Sequence, residues 1–143
     1  MEPLPPVANR RAAPRTACAG TQTFDSVMHT DVVIVMGANP SSGHPVFASR
    51  LKRRLRQGAR LIVIDPRRIE LVSSPHIKAD FHLQVRPGTN TALLSSLAHV
   101  IATEGLIDEA FVAERCETKA FNEWRDFVSL PENSPEAMEE ITG

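Results

Sequence analysis

Three short segments carry residue types that bind nucleotides, and they span residues 37–42, 65–67 and 88–90. Their glycines let a backbone approach a phosphate group closely, and their asparagine and serine side chains offer neutral donors and acceptors. The arginine can face a phosphate. We predict that these segments bind a nucleotide. The candidate binding residues are Gly37, Asn39, Ser42, Asp65, Arg67, Gly88 and Asn90.

Asp65 has two possible roles in such a site. Its carboxylate can accept hydrogen bonds from ribose hydroxyls, or it can take the N1–H and N2–H edge of a guanine with both oxygens. The plainer interpretation is that Asp65-Pro66 and Gly88 are ordinary residues of turns that end strands. The sequence contains neither GxGxxG nor GxxxxGK[ST], so this pattern alone does not select a particular nucleotide.

The first two segments follow apolar runs whose patterns predict β-strands. The run DVVIVM at 31–36 is apolar on both alternations, which predicts a strand covered on both faces, with a serine cap and Pro45 starting the next helix. A helix at 46–57 ends at Gly58, and a second strand at 60–65 has the same two-sided pattern. Strand, helix and strand form a right-handed βαβ unit, so both carboxyl ends share one edge.

Further elements follow along the chain. A brief helical turn is expected at 67–72, and alternation at 80–85 predicts a third, half-covered strand near an edge. Amphipathic patterns predict helices at 91–104, 108–115 and 118–128, and Ser134 caps a last helix. We therefore predict an α/β fold: a three-layer, Rossmann-like parallel sheet of at least three strands, followed by a helical extension.

The remaining composition limits the class of protein. A length of 143 residues suits one domain, and a net charge of −1 gives no general attraction to nucleic acid. No apolar run approaches the length that spans a membrane. Residues 1–19 hold four prolines and three arginines, so we interpret them as disordered or unrelated to a domain at 20–143. Cys18 and Cys116 have no metal-ligand spacing and indicate a reduced, cytoplasmic protein.

Two longer segments resemble a known family. They are VIVMGANPSSGHPVFASRLKRRLRQGARLIVIDPRRIEL and ADFHLQVRPGTNTALLSSLAHVIATEGLIDEAFVAERCE. They resemble the large subunit of molybdenum- or tungsten-dependent formate dehydrogenases and, more broadly, the bis-molybdopterin guanine dinucleotide oxidoreductases, which include nitrate reductases. The resemblance implies that this region holds the guanosine half of one pterin cofactor.

The family's motifs fall on the three segments. The G-x-N after the first strand falls on Gly37 and Asn39, and the polar position three residues later falls on Ser42, where several relatives carry a carboxylate. The family's D-P-R motif falls on Asp65, Pro66 and Arg67. Its G-[ST]-[DN] motif falls on Gly88, Thr89 and Asn90.

The resemblance also shows what this sequence lacks. The family's metal-binding cysteine or selenocysteine precedes a histidine, whereas Cys18 precedes Ala19, so no metal ligand and no catalytic residue is assigned here. Iron–sulfur clusters would belong to missing regions. We therefore expect a fragment of a larger subunit, inactive alone, whose partners are the remaining domains and the electron-transfer subunits. In the complete enzyme the resemblance implies oxidation of formate to carbon dioxide.

Three alternatives stay open at this point. The parent enzyme could be another family member such as a nitrate reductase. The chain could instead be a non-catalytic nucleotide-binding module that folds alone, or a gene remnant without a function.

Overall fold

The computed structural model describes residues 23–143, so residues 1–19 and Cys18 lie outside the described part. Within it, three parallel strands form a sheet: Val32–Met36 (β1), Arg60–Ile64 (β2) and Phe81–Leu83 (β5). Their order in the sheet is β1-β2-β5. The predicted α/β class with a parallel sheet is confirmed, and β5 lies at an edge, as its alternation indicated.

Helices fill most of the other described residues. The α-helices are Pro40–Gly43 (α1), Pro45–Arg56 (α2), Asn90–Thr103 (α3), Glu109–Arg115 (α4), Thr118–Val128 (α5) and Pro135–Thr142 (α6). Two 3-10 helices span Phe24–His29 and Pro131–Asn133. The predicted boundaries of the longer helices agree with these to within one residue, because their apolar periodicity and the glycines after them are strong signals.

The core lies between one face of the sheet and α2. Leu51 of α2 is fully buried and clusters with Leu61 and Val63 of β2 and with Val35 of β1. Val27 of the first 3-10 helix belongs to the same cluster. Alternate strand positions supply these contacts, as the two-residue period of a strand requires.

The opposite face of the sheet departs from the prediction. Val32 and Ile34 of β1 are 50% and 51% exposed, so two-sided burial of β1 is wrong within residues 23–143. The strand register puts Ile34, Ile62 and Phe81 in one row, and Phe81 is 60% exposed. A second helical layer over β1 is therefore not observed among the described residues. The prediction came from composition, which shows that a strand can be buried but not what buries it.

Two local predictions were also wrong. Residues 67–72 form turns without a helix, and β3 (Ser73–Ser74) pairs with β4 (Ile77–Lys78) as an antiparallel hairpin. The third strand ends at Leu83 rather than at residue 85. The Leu83 carbonyl accepts the Asp65 N–H at 3.2 Å, but the next donor, the Arg67 N–H, is bound to the Asp65 carboxylate and not to this strand. Further along, the Arg86 N–H donates to the Thr142 carbonyl at 2.9 Å.

The helix start after β1 also differs in part. His44, and not a serine, occupies the N-cap of α2, although Pro45 takes the first helical position as predicted. Near the chain end the prediction was right: Ser134 caps α6 by accepting from the Ala137 N–H at 3.2 Å. α6 packs against α3, and α3 also packs against α5, so the helical extension forms beside β5.

Candidate functional site

The first two predicted segments lie side by side at the carboxyl edge of the sheet. The Gly37 N–H donates to the Ile64 carbonyl at 2.9 Å, which joins the end of β1 to the end of β2. The Asp65 N–H donates to the Leu83 carbonyl at 3.2 Å, which joins the end of β2 to the end of β5. Parallel strands thus bring these loops to one edge, where ligands of α/β sheets bind.

The loop after β1 holds a buried polar atom without a partner. Gly37 turns the chain with a φ of +59°, and α1 follows at Pro40. The half-buried Asn39 donates from Nδ2 to Ser42 Oγ at 3.2 Å. Its other amide atom, Oδ1, is buried and accepts no hydrogen bond from any described residue. Since leaving a buried acceptor unpaired costs about 1–3 kcal/mol, this atom calls for an explanation.

The loop after β2 is organised by a buried carboxylate. Asp65 is 1% exposed, and its Oδ1 accepts the Arg67 backbone N–H at 2.8 Å and the Arg67 Nε–H at 3.3 Å. The backbone donor, more than the guanidinium, holds the pKa of Asp65 below its ordinary value, although burial opposes it. Among the described residues none donates to Oδ2, so one oxygen of this carboxylate is available to a ligand.

The loop before α3 has a different anchor. Gly88 has a φ of +88°, and the exposed Asn90 begins α3. Thr89 occupies the N-cap, but its hydroxyl donates to the Arg86 carbonyl at 2.7 Å and does not cap the helix. The first amides of α3 keep the partial positive charge that attracts an anion. Within residues 23–143 no hydrogen bond joins this loop to the other two.

Two residues that were not predicted as part of the site contact the loop after β2. His82 places Nε2 at 2.9 Å from the Asp65 carbonyl oxygen. Gln84 donates from Nε2 to the Pro66 carbonyl at 3.1 Å. The alternating polar residues predicted at 80–85 were the signal that could have identified these contacts. At the edge of a sheet, such side chains can bind the main chain that follows the neighbouring strand.

A groove of about 580 Å³ opens between β5, α3 and α6, beside these loops. His82, Gln84, Leu93, Glu136 and Glu139 are among its lining residues. None of the seven candidate binding residues lines it. The groove is therefore separate from the predicted binding residues.

The chemistry available at this edge is binding. It offers neutral amide and hydroxyl groups, one carboxylate oxygen and an exposed guanidinium. In residues 23–143 no three His, Cys, Asp or Glu side chains gather closely enough to hold a metal ion. The same stretch contains no helix long and apolar enough to cross a membrane. The fold is thus an α/β domain with a parallel sheet, and two of the predicted loops lie at the edge where such sheets bind ligands.

Comparison with known proteins narrows this class. The profile of the molybdopterin oxidoreductase family matches residues 7–136. The chain belongs to that family, as the resemblance of its motifs indicated. The match begins inside the stretch at 1–19, whose assignment as unrelated sequence stays a prediction.

The relatives carry several different names. The chain is 41% identical to formate dehydrogenase H of Escherichia coli over 125 residues, which are 87% of this chain and 16% of the relative. It is 34% identical to a nitrate reductase of Symbiobacterium thermophilum, covering 84% of this chain and 16% of that protein. Acetylene hydratase from Pelobacter acetylenicus superimposes with a TM-score of 0.68 at 34% identity, covering 79% of this chain and 15% of that one. The chain therefore spans about a sixth of the length of these proteins.

Proposed function

We propose that this chain holds the guanosine half of a molybdopterin guanine dinucleotide. The seven candidate residues would do so: Gly37, Asn39, Ser42, Asp65, Arg67, Gly88 and Asn90. Membership in the family supports a molybdopterin cofactor, with molybdenum or tungsten as its metal. Such a cofactor carries the redox chemistry, and the protein contributes binding and orientation.

The observation that carries this proposal is the unpaired Oδ1 of Asn39. A buried acceptor without a donor is expensive, and it lies in the loop where α/β sheets bind ligands. A ligand with N–H or O–H groups, such as a guanine or a ribose, supplies the missing donor. The two linked phosphates of a dinucleotide carry no hydrogen at neutral pH, so this atom fits the nucleoside part of the ligand better than its phosphates.

The geometry of Asp65 separates its two predicted roles. Oδ1 already accepts two hydrogen bonds from Arg67, which occupies both of its lone pairs. With this pair intact, Oδ2 alone can accept from a ribose hydroxyl or from one guanine N–H. A grip on both guanine N–H groups requires Arg67 to release its 3.3 Å contact, and its side chain, 75% exposed, is free to turn toward a phosphate.

For the whole protein we propose a formate dehydrogenase-like oxidoreductase. Formate would be oxidised to carbon dioxide, and electrons would leave through iron–sulfur clusters in other parts of the large subunit to partner subunits. Relatives named as formate dehydrogenase subunits alpha support this choice. A nitrate reductase is the alternative, since relatives of that name match over a similar share of the chain. Because a hydratase shares the same segment, the segment itself does not select the reaction.

We also propose a cytoplasmic location. Cys116 carries a free thiol, which is the ordinary state of cysteine in that compartment. Neither nucleic acid nor membrane insertion enters the proposal.

A thermal-shift titration with guanine nucleotides tests the binding role. GDP and GMP should raise the melting temperature of the chain, because a ligand that binds the folded state stabilises it. ADP should not, because adenine lacks the N1–H and N2–H edge of guanine. Asp65→Ala should abolish the shift. Asp80→Ala is a matched control, since Asp80 binds the other end of β2 through the Leu61 N–H and Arg60, each at 2.8 Å. That variant should melt earlier and still respond to GDP; equal shifts with GDP and ADP would reject the proposal.

A further inference from the structure

The segment 80–84 holds both ends of β2 through three alternating polar side chains. Asp80 accepts from the Leu61 N–H at the start of β2, at 2.8 Å. His82 and Gln84 reach the other end, at the carbonyls of Asp65 and Pro66. Of these three side chains, only those of His82 and Gln84 contact the main chain of a candidate binding loop. These two residues belong to no motif that the family resemblance assigned.

The chemistry of the His82 contact fixes its proton. A backbone carbonyl only accepts, so Nε2 of His82 carries hydrogen and donates across 2.9 Å. Gln84 likewise donates across 3.1 Å. Together they hold the carbonyls of two consecutive peptide bonds, Asp65–Pro66 and Pro66–Arg67. The second of these contains the Arg67 N–H that donates to the Asp65 carboxylate.

We infer that His82 and Gln84 are positioning residues for the nucleotide-binding loop at 65–67. They fix the main chain so that Asp65 keeps its carboxylate buried with one oxygen toward the ligand edge. This inference rests on the proposed function, which it deepens by naming what orients Asp65. Loss of one such hydrogen bond lowers the fraction of loops in the binding-competent arrangement, and nucleotide affinity falls by that same fraction.

The first experiment measures the loop without any ligand. Amide hydrogen exchange of Arg67 reports its bond to the Asp65 carboxylate, and exchange should quicken by roughly fivefold in His82→Ala and in Gln84→Glu, as expected for one ordinary hydrogen bond. His82→Gln retains an N–H donor and should restore much of the protection. His99→Ala is the matched control, because His99 makes the same kind of contact with the Val128 carbonyl, at 2.8 Å, in the helical extension.

The second experiment measures GDP binding by calorimetry on the same full-length variants. His82→Ala and Gln84→Glu should weaken GDP about fivefold, His82→Gln less, and His99→Ala not at all even where it lowers the melting temperature. Unchanged Arg67 exchange in His82→Ala and Gln84→Glu would overturn the inference. Faster exchange with no GDP binding by the wild-type chain would instead support the positioning role and reject the proposed nucleotide site, so the two failures are distinguishable.

Discussion

The carboxylate of Asp65 accepts the backbone N–H of Arg67, two residues further along the chain, at 2.8 Å. This bond closes the turn that ends β2, and it also makes the anionic form of Asp65 the favoured one at the buried end of the strand. A single contact therefore shapes the loop and sets the charge that a ligand would meet.

Stability should consequently fall in acid. The folded-state pKa of Asp65 lies below that of the unfolded chain, which is about 3.9. The stabilisation is thus fully present above the unfolded value and is lost as pH falls through the folded value. Urea unfolding from pH 7 to pH 2 should show the wild-type chain losing more stability than Asp65→Asn, which has no charge to neutralise.

The contribution of Asp80 to the loss of stability in acid must be distinguished from that of Asp65. Its pKa is lowered as well, first by the Leu61 N–H and then by Arg60, so it contributes acid sensitivity of the same sign. Asp65→Asn and Asp80→Asn should each remove part of the pH dependence, and the double variant should remove more than either. If Asp65→Asn keeps the full wild-type pH dependence, the Asp65–Arg67 bond is not formed in solution.

Apolar periodicity was enough to predict the parallel βαβ unit and the helices after it. The run 32–36, the stripe containing Leu51 and the glycine at 58 each carry their own local signal. The loop residues were predictable in the same way, since strand ends in a βαβ unit converge. Gly37 and Asp65 accordingly follow neighbouring strands that are joined by the Gly37 N–H.

The remaining features depend on contacts between distant residues. Exposure of Ile34 depends on what covers the sheet, which its own side chain does not encode. The third strand stops at Leu83, and the chain after it is held by Arg86, which binds the end of α6, 56 residues later in the chain. The contact of His82 with Asp65 likewise required the register of two strands before it could be recognised.

The backbone at Gly37 should resist substitution. Its φ of +59° is a left-handed conformation that costs an L residue about 1–2 kcal/mol, whereas a Cβ there would meet no atom within 4 Å. Gly37→Ala should therefore lower the free energy of unfolding by about that amount. Gly43 in α1 also has open space but no positive φ, so Gly43→Ala should be neutral or stabilising in the same urea titration. Equal losses would mean that crowding, and not φ, limits both sites.

The core contact of α2 provides a second matched pair. Leu51 is fully buried against β2, so Leu51→Ala should cost about 2–5 kcal/mol in the free energy of unfolding. Val46, on the same helix, is 61% exposed, and Val46→Ala should change stability by no more than about 0.5 kcal/mol. Chemical denaturation followed by circular dichroism measures both. A small effect at Leu51 would contradict the packing of α2 on the sheet.

The unpaired acceptor of Asn39 predicts that an apolar substitution at this position costs little stability. Asn39→Leu removes a donor to Ser42 but also removes the unsatisfied Oδ1, so the free energy of unfolding should change by less than about 1 kcal/mol. Asn133 is buried too, but it donates to the Phe127 carbonyl at 2.8 Å, and Asn133→Leu should cost about 1–3 kcal/mol. Urea unfolding without ligand compares the two variants. A loss at Asn39 as large as that at Asn133 would mean that Oδ1 already has a partner in solution, and the need for a ligand donor there would disappear.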